Sequence, residues 1–239
     1  MTDLHLGGEK GFLLRNQIDT ADSLSKVLDC VASSKFDYLI VTGDISEDSS
    51  SESYSLFCEA IRSRNISSVV CLSGNHDSTE VMREILKPIA SSNVFHDNSW
   101  LFFCINTSIR GSDCGEVSQE DLKALDELLA RRDVKHAAIF MHHHSIPVQS
   151  IWIDKYGLQN SQEFIKIIEK HGKVRAVISG HVHQASETRR NGVAYHTTPA
   201  TSVQFTPFSD KPLVCSTSPA WRKWYFGTDG KVTSQIYYI

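Results

Sequence analysis

Five short clusters of imidazole, carboxylate and carboxamide side chains lie at the ends of predicted strands, and they constrain this chain more than any other feature. They are Asp3-Leu4-His5, Gly43-Asp44, Gly74-Asn75-His76-Asp77, His142-His143-His144 and Gly180-His181-Val182-His183. Seven of the eleven histidines lie inside these clusters, so imidazoles are concentrated at strand ends, where metals and phosphates are bound. The pattern favours a fold in which several strand ends supply one site.

Hydrophobic spacing alternates between helix and strand through the first two thirds of the chain. Strands are predicted at 38–42, 68–72, 100–106, 136–141 and 174–179, and helices from about 20, at 52–63, from 77 to 88, and at about 118–131 and 161–170. Asn160-Ser161-Gln162-Glu163 has the spacing of a capped helix start. After Gly180 the pattern is almost wholly strand and turn, and it ends in a hairpin around Asp229-Gly230. This order predicts an α/β fold, a four-layer α/β/β/α sandwich of two mixed sheets flanked by helices.

Size, charge and hydropathy narrow the classes of function. The 239 residues are interpreted as a single domain, 1–239. Net charge is −4, and Lys and Arg are scattered rather than clustered, so no polymeric nucleic acid partner is expected. The longest apolar runs, such as Trp100–Ile105, fall far short of the roughly 18 residues that a membrane span needs, so no membrane association is expected.

The cysteines indicate a compartment. The six cysteines form no Cys-x-x-Cys pair, and two of them lie within apolar runs, which favours reduced, buried thiols. The alternative, a disulfide framework, is typical of small domains that cannot build a core. Together with the lack of a charged-then-apolar leader, this predicts a cytoplasmic protein. The oligomeric state is left open.

The clusters supply nitrogen and oxygen donors and contain no cysteine, which argues against a structural zinc site. One catalytic ion takes about three protein ligands and keeps a position open for water, so a larger set suits two ions that share a carboxylate. Manganese, iron or zinc fit such donors. The potential ligands are Asp3, His5, Asp44, Asn75, one of His142 to His144, His181 and His183.

The charge of such a site favours one class of substrate. Two divalent ions supply four positive charges, Asp3 and Asp44 offset two, and a bridging hydroxide offsets a third, so about one remains. That matches the single negative charge of a phosphodiester. A phosphomonoester dianion would be better matched by an added Arg or Lys. None lies next to a cluster, although residues distant in sequence could supply one.

Each cluster also has a purely structural interpretation. Asp3-Leu4-His5 alone would more often be a polar chain end, and Gly43-Asp44 alone would be a turn. Gly180-His181-Val182-His183 is more specific, because alternate residues of an extended segment face one way and present both imidazoles together. Coincidence explains five such clusters at five strand ends poorly, so the metal interpretation is favoured.

In order and composition, the clusters resemble the calcineurin-like metallophosphoesterases, whose pattern is Asp-x-His, Gly-Asp, Gly-Asn-His-Asp or Gly-Asn-His-Glu, a His after an apolar strand, and Gly-His-x-His. The metal motifs are specific for the superfamily. The segments around Trp152-Ile153-Asp154 and Thr198-Pro199-Ala200-Thr201 resemble its bacterial 3',5'-cyclic AMP phosphodiesterase branch, among the class III cyclic nucleotide phosphodiesterases. Similar likenesses extend over 2–6, 37–48, 141–147, 151–160, 198–205 and 218–222.

The resemblance implies two metal sites and a nucleotide substrate. The implied reaction is hydrolysis of 3',5'-cyclic nucleotides, cyclic AMP above all, to 5'-nucleotides by in-line attack of a hydroxide that bridges the metals. A small-molecule nucleotide is therefore the expected partner. The implied ligands are Asp3, His5 and His183 for one metal, Asn75, His142 and His181 for the other, and Asp44 as the bridge.

Finer expectations concern four places in the chain. His142 is preferred to His143 as ligand because it is the first residue after the apolar strand, where the family's ligand falls. His76 is expected beside the substrate, where it stabilises the transition state or protonates the leaving 3' oxygen. Asp77, the second expected catalytic residue, orients His76 or the loop backbone. Residues 198–205 form either a substrate-facing loop or a structural turn.

Two other functions are compatible with parts of the pattern. The same dimetal centre could act on another diester, such as a glycerophosphodiester, or on nucleotide monoesters. A non-catalytic interaction module with the same fold is the third possibility. Such a module would be expected to lose ligands, whereas all seven positions and His76 are filled here.

The start of the sequence departs from the family. Family members begin with an apolar strand that leads directly into Asp-x-His, and that first strand is missing before Met1-Thr2-Asp3. Metal ligands need an anchored, packed backbone. The expectation is therefore either a truncated start or a weakly held first metal at Asp3 and His5.

Overall fold

The structure, a computed structural model, describes residues 1–9 and 11–239. Its α-helices are α1 (Thr20–Ala32), α2 (Ser51–Ser63), α3 (Thr79–Leu86), α4 (Gln119–Ala130) and α5 (Ser161–His171), and a short 3₁₀ helix spans Asp154–Tyr156. Its strands are β1 (Leu13–Leu14), β2 (Ile18–Asp19), β3 (Leu39–Thr42), β4 (Val69–Leu72), β5 (Val94–Asp97), β6 (Trp100–Cys104), β7 (His136–Met141), β8 (Val174–Ser179), β9 (Ser186–Arg190), β10 (Val193–Thr197), β11 (Ala220–Phe226) and β12 (Val232–Tyr238). None of the helices in these ranges has the length and apolarity to cross a membrane.

The elements stack in four layers. Helices α1 to α3 pack on one face of the β3–β4 pair and the β11–β12 hairpin, through a core that includes Tyr54, Phe57 and Trp221. The other face of this layer meets a six-stranded sheet through a second core that includes Val70 and Phe140. Helices α4 and α5 cover the far face of that sheet. The predicted α/β/β/α sandwich, with sheets flanked by helices, is confirmed.

The direction of the strands brings the clusters to one edge. The six-stranded sheet has the order β5-β6-β7-β8-β10-β9. Its four central strands run parallel, and the edge strands β5 and β9 run antiparallel to their neighbours. In the other layer, β3 and β4 are also parallel. Parallel strands end at the same edge of a sheet, so the polar residues after β3, β4, β7 and β8 converge.

The first residues of the sequence lie along β3 and the loop after it. The Met1 amine donates a hydrogen bond to Ile40 O at 3.0 Å, and the Thr42 N–H donates to Met1 O at 3.1 Å. The N–H groups of residues 3–6 then donate to the carbonyls of residues 43–45 at 2.8–3.0 Å. The backbone that carries the first two predicted ligands is therefore anchored by hydrogen bonds to β3 and the loop after it, although among the described residues no preceding strand supports it.

Side-chain caps explain where four of the helices begin. The N-cap residues Asp19, Ser50, Ser78 and Ser118 each accept a hydrogen bond from the backbone N–H three positions later. Helix α5 is different, because the Asn160 amide pairs with the backbone N–H and C=O of Val117 at 3.0 and 2.8 Å. The predicted side-chain cap at Asn160 is therefore wrong, and this amide instead ties α5 to the segment that leads into α4.

Candidate metal centre

All the predicted ligands meet at the carboxyl edge of the parallel strands. The chain reaches this edge after β3, after β4, after β7 and after β8, and once more from its first residues, which lie beside β3. Six of these side chains are buried, and the seventh, Asn75, is half-buried. The residues brought together are Asp3, His5, Asp44, Asn75, His142, His181 and His183.

One group of ligand atoms is formed by Asp3, His5 and His183. These atoms all lie within 4.8 Å of one another. The Nε2 of His183 is 3.3 Å from Asp3 Oδ1 and 3.1 Å from His5 Nε2. Two imidazole nitrogens can approach so closely only with a proton or a cation between them, so the geometry suits a bound cation.

A second group lies beside the first, around His142. Its Nε2 is 3.1 Å from Asn75 Oδ1 and 3.4 Å from Asp44 Oδ2, and its ring centroid is 5.1 Å from that of His181. The same Asp44 oxygen is 3.6 Å from the Nε2 of His5 in the first group. One carboxylate oxygen thus faces both groups, as a shared ligand must.

Backbone carbonyls fix the orientation of two of the rings. The Nδ1 of His142 lies 2.8 Å from Thr42 O, and the Nδ1 of His183 lies 2.7 Å from Val203 O. Because a carbonyl only accepts, each Nδ1 carries the proton and donates it, which leaves the Nε2 lone pair directed at the ligand groups. Proteins commonly orient metal-ligating histidines in this way.

Backbone strain is concentrated on the ligand loops. A left-handed conformation in a residue other than glycine costs on the order of 1–3 kcal/mol and persists only where the surroundings enforce it. Packing is equally tight, since a Cβ added at Gly74 would overlap the Asp44 carboxylate. The ligand residues with left-handed φ, between 50° and 69°, are Asp3, His5, Asp44, His181 and His183.

Among the described residues, the buried carboxylates of the ligand groups have only histidines beside them to offset their negative charge. Burial disfavours ionisation of Asp44, but the adjacent His142 outweighs it and holds the pKa of that carboxyl well below its usual range. Burial likewise opposes charge on His142, yet Asp44 and Asp3 raise its pKa to about 9. Burial and neighbouring imidazoles hold the pKa of His181 well below its usual range, and its Nε2 has no hydrogen-bond partner in the described part of the chain. The buried carboxylates thus favour the protonated form of His142, and beside them stands a neutral imidazole, His181, with that unpaired nitrogen. Both features are those of a site built for divalent cations.

The three consecutive histidines have three different partners. His142 faces the ligand groups as described. His143 places its Nδ1 2.8 Å from Thr107 Oγ1, and burial with the adjacent His142 lowers its pKa to about 3. His144 places its Nε2 3.3 Å from the carboxylate of Asp154. His142 therefore has the contacts expected of a ligand. One ring nitrogen of His143 also lies within 4.8 Å of ligand atoms of His142 and His181, and the His143 Nε2 has no hydrogen-bond partner among the described residues.

Glu47 is a site residue that the sequence pattern did not single out. Its Oε2 lies 2.5 Å from His5 Nδ1 and 3.2 Å from His76 Nδ1, and the two rings meet edge to face with centroids 4.8 Å apart. Burial opposes ionisation of Glu47, but the bond with His5 lowers its pKa. One carboxylate thus orients a predicted ligand and a predicted catalytic residue. The only hint in the sequence is its place three residues after Asp44, in the same loop.

Asp77 contacts the backbone of the ligand loops rather than the ring of His76. Burial and the nearby Asp44 raise its pKa to about 6, although backbone N–H groups favour its ionised form. Of the two arrangements expected from the sequence, these contacts match the one with the loop backbone. Its carboxylate accepts hydrogen bonds of 2.9–3.2 Å from the N–H groups of Ile45, Ser46 and Gly74 and from the Tyr54 hydroxyl.

The two ligand groups form the floor of a cleft of about 790 Å³. Its walls are the β1–β2 turn, residues 152–156 and residues 203–212. Two cations, Arg15 and Lys155, line these walls, and neither makes a salt bridge with a carboxylate within the described ranges. Each lies ten or more residues from the nearest cluster in the sequence, so the spacing of the motifs could not reveal them. Their presence weakens the charge argument against a monoester.

The segment 198–205 is largely structural. Its Thr201 N–H donates to Thr2 O, and the Ser202 hydroxyl donates to Asp3 O at 2.7 Å. Most of the segment is buried, and Val203 and Phe205 alone in it line the cleft. The contacts are those of the structural turn expected from the sequence, and two residues of the segment also line the cleft.

Known proteins resemble this sequence over nearly its full length. The 3',5'-cyclic adenosine monophosphate phosphodiesterase CpdA of Vibrio vulnificus is 32% identical over 242 residues, which cover 99% of this chain and 87% of that protein. The CpdA of Escherichia coli K12 is 31% identical with the same coverage. A 3',5'-cyclic-nucleotide phosphodiesterase of Nostoc is 31% identical and covers 99% of this chain and 90% of its own length.

Solved structures share the fold at low sequence identity. A dimetal phosphatase from Danio rerio superimposes with a TM-score of 0.69 at 14% identity, over 84% of this chain and 86% of that one. A purple acid phosphatase from yellow lupin gives a TM-score of 0.62 at 12% identity, over 98% of this chain and 52% of that one. The sequence model described as calcineurin-like phosphoesterase matches residues 1–185. With that match and relatives above 30% identity, this chain belongs to the calcineurin-like phosphoesterase family.

Proposed function

We propose that this chain is a dimetal phosphodiesterase that hydrolyses 3',5'-cyclic nucleotides, cyclic AMP in particular, to 5'-nucleotides. The observation that carries the proposal is the pair of ligand groups that share Asp44 at the floor of the cleft. The substrate class is supported by relatives named as 3',5'-cyclic-nucleotide phosphodiesterases. Six free cysteines support a cytoplasmic location for this activity.

The proposed ligands are those expected from the sequence, with manganese or iron as the first choice of ions and zinc as the alternative. When bound, two such ions supply an activated nucleophile and neutralise charge on the phosphate. The protein's own contribution is to fix the donor atoms through the carbonyl contacts and strained loops described above. One ion would be held by Asp3, His5 and His183, the other by Asn75, His142 and His181, and both by Asp44.

His76 is assigned to the substrate rather than to the metals. Its ring is 38% exposed at the edge of the cleft, and its Nδ1 lies on Glu47. The opposite nitrogen, Nε2, is therefore free to meet a bound phosphodiester. There it would stabilise charge in the transition state or protonate the ribose 3' oxygen as it leaves. Asp77 acts as a positioning residue that holds the loop on which His76 stands.

A phosphomonoester is the second candidate substrate, and the two wall cations favour it. A phosphate dianion would gain more than a diester monoanion from Arg15 and Lys155. Another diester, such as a glycerophosphodiester, would use the same floor and differ in its contacts with the walls.

Metal analysis followed by a substrate panel tests the proposal. The purified protein, loaded with manganese, is expected to bind about two ions per chain and to hydrolyse cyclic AMP and bis(p-nitrophenyl) phosphate faster than p-nitrophenyl phosphate. Activity on the monoester alone would overturn the assignment to cyclic nucleotides. A stoichiometry of one ion or none in the active protein would overturn the shared role of Asp44.

A further inference from the structure

The cleft continues beyond the ligand groups into an aromatic wall that the proposed chemistry does not use. Phe205 lies at its centre, where it is largely buried by its neighbours, so that Trp152 and Arg15 provide the accessible part of the wall. Its ring centroid is 4.8 Å from that of the predicted ligand His183 and 5.0 Å from that of Trp152, which meets it edge to face. The Cζ of Arg15 lies 5.0 Å from the same centroid. These side chains form a continuous surface that starts at the metal ligands.

The turn between β1 and β2 holds Arg15 over this wall. Arg15 and the next residue, Asn16, are both left-handed, with φ of 53° and 55°. Successive left-handed residues are ordinary at the tip of a tight hairpin, and the turn between the paired strands fixes where Arg15 projects. The side chain of Arg15 is exposed, lies on Phe205, and has no carboxylate partner among the described residues. Its hydrogen-bond donors are therefore available to a ligand.

The combination of groups selects one chemistry. Unpaired nucleobases are bound by stacking on aromatic side chains and on the planar guanidinium of arginine, and arginine also donates to ring nitrogens and carbonyl oxygens of purines. A purely apolar ligand would not use the cation, and a second phosphate would not use the two aromatic rings. The cleft volume of about 790 Å³ is within the range that accommodates a whole small ligand.

Resting on the proposed function, we propose that Arg15, Trp152 and Phe205 form a subsite for the purine base of the nucleotide. In a cyclic nucleotide the ribose separates the base from the phosphorus atom. In the cleft, the ring of Phe205 packs directly against the ring of the predicted ligand His183. With the phosphate on the floor of the cleft, the base therefore reaches the Trp152–Phe205 wall, where the Arg15 guanidinium packs against it.

Calorimetry with the manganese-loaded protein tests the subsite without relying on turnover. Adenosine 5'-monophosphate and ribose 5-phosphate carry the same phosphate and sugar and differ in the base. The unaltered protein is expected to bind the adenosine compound at least about tenfold more tightly, since stacking of one base on an aromatic side chain is worth about 1–3 kcal/mol. Equal affinities for the two ligands would overturn the proposal.

Two variants locate the effect. Trp152→Leu should remove most of the difference between the two ligands while leaving the affinity for ribose 5-phosphate and the metal content unchanged. Arg15→Ala should also narrow the difference, because the adenosine compound loses both the stacking and the charge contact of the guanidinium, whereas ribose 5-phosphate loses only the charge contact. Phe205 is left intact because it also packs on His183. Gln17→Ala is the matched control, because Gln17 is exposed in the same turn but does not line the cleft. Loss of affinity for both ligands alike, or an equal effect of the control, would contradict the subsite.

Kinetics separates this inference from the proposed function. If the unaltered protein does not hydrolyse cyclic AMP, the proposed function fails, and the calorimetric preference still decides the subsite. If it does, Trp152→Leu should raise KM for cyclic AMP about tenfold and leave kcat/KM for methyl p-nitrophenyl phosphate, a diester without a base, unchanged. A parallel fall on both substrates would assign this residue to the architecture of the floor instead.

Discussion

The floor and the walls of the cleft are built in opposite ways. The floor consists of buried side chains on short loops at strand ends, with strained backbone and carbonyl contacts that fix the rings. The walls combine buried residues such as Val203 and Phe205 with exposed or half-buried ones from three segments, and their cations have no carboxylate partners among the described residues. The floor is preorganised for ions, whereas the exposed side chains of the walls are free to adapt to a substrate. Substitutions should therefore abolish chemistry at the floor and alter selectivity at the walls.

The largest effect is expected for Asp44→Asn. Loss of the carboxylate that faces both ligand groups should lower activity by more than the roughly hundredfold seen when an outer partner of a metal ligand is removed, together with loss of at least one ion. Metal content and kcat/KM for bis(p-nitrophenyl) phosphate would be measured. Asp37→Asn is the matched control, because Asp37 is exposed and precedes the first residue of β3, at the end of the strand away from the site. If Asp44→Asn kept its full metal content and activity, the floor would not be the part of the cleft on which metal binding and chemistry depend.

His76→Ala should lower kcat by roughly a hundredfold or more, the range of a lost general acid or base, while both ions stay bound. His76 lies at the boundary between floor and wall, so this variant tests whether the side chain binds an ion or contacts the substrate. Metal analysis beside steady-state kinetics gives the answer. Loss of an ion in this variant would make His76 a ligand and contradict the assignment.

Glu47→Gln should cost roughly tenfold to a hundredfold in kcat/KM, the usual effect of a group that orients a metal ligand. The amide keeps the size of the side chain but weakens its hold on His5 and His76. Measured with a diester and with added manganese, the defect should be partly rescued by metal if His5 is the main target. A variant as active as the unaltered protein would mean that the Glu47 contacts position neither ring.

Lys155→Ala should change selectivity by a small factor. An exposed charge contact contributes about 0.2–1 kcal/mol, so hydrolysis of p-nitrophenyl phosphate should fall by no more than about fivefold, and that of the diester by less. Lys166→Ala, an exposed lysine of α5, is the control. An equal loss on both substrates would show that this cation does not distinguish a dianion from a monoanion.

Gly11→Ala should have the smallest effect on function. Gly11 is left-handed with φ +78°, and a Cβ there would meet no atom within 4 Å, so the cost is about 1–2 kcal/mol of stability for a left-handed residue with kcat unchanged. Gly74→Ala makes the same chemical change on the floor, where the added Cβ overlaps the Asp44 carboxylate. Denaturant unfolding and activity assays compare them. Equal losses of activity would show that the floor is no more constrained at Gly74 than the chain is at Gly11, outside the cleft lining.

The sequence predicted the elements with strong periodicity and missed the weak ones. Strands β7 and β8 begin and end where apolar spacing predicted, because a strand buried between two layers needs an uninterrupted apolar run. The edge strands β5 and β9 are half-buried or exposed and show no such run. The Asn160 cap failed for a related reason, since a side chain that satisfies a local pattern can find a better partner in another segment.

The sequence by itself determined the identity of the donors and their positions at strand ends, because metal chemistry restricts residue type and a buried strand restricts what can end it. Only the tertiary structure decided that Glu47 touches both His5 and His76, that Asp77 holds backbone rather than a ring, and that Arg15 lies over Phe205. Such contacts between segments depend on the conformation of loops and on tertiary packing, and no short sequence motif encodes either. The histidine clusters of the sequence therefore supply the donors of the floor, while the walls, to which we assign the choice of substrate, are assembled only by the folded chain.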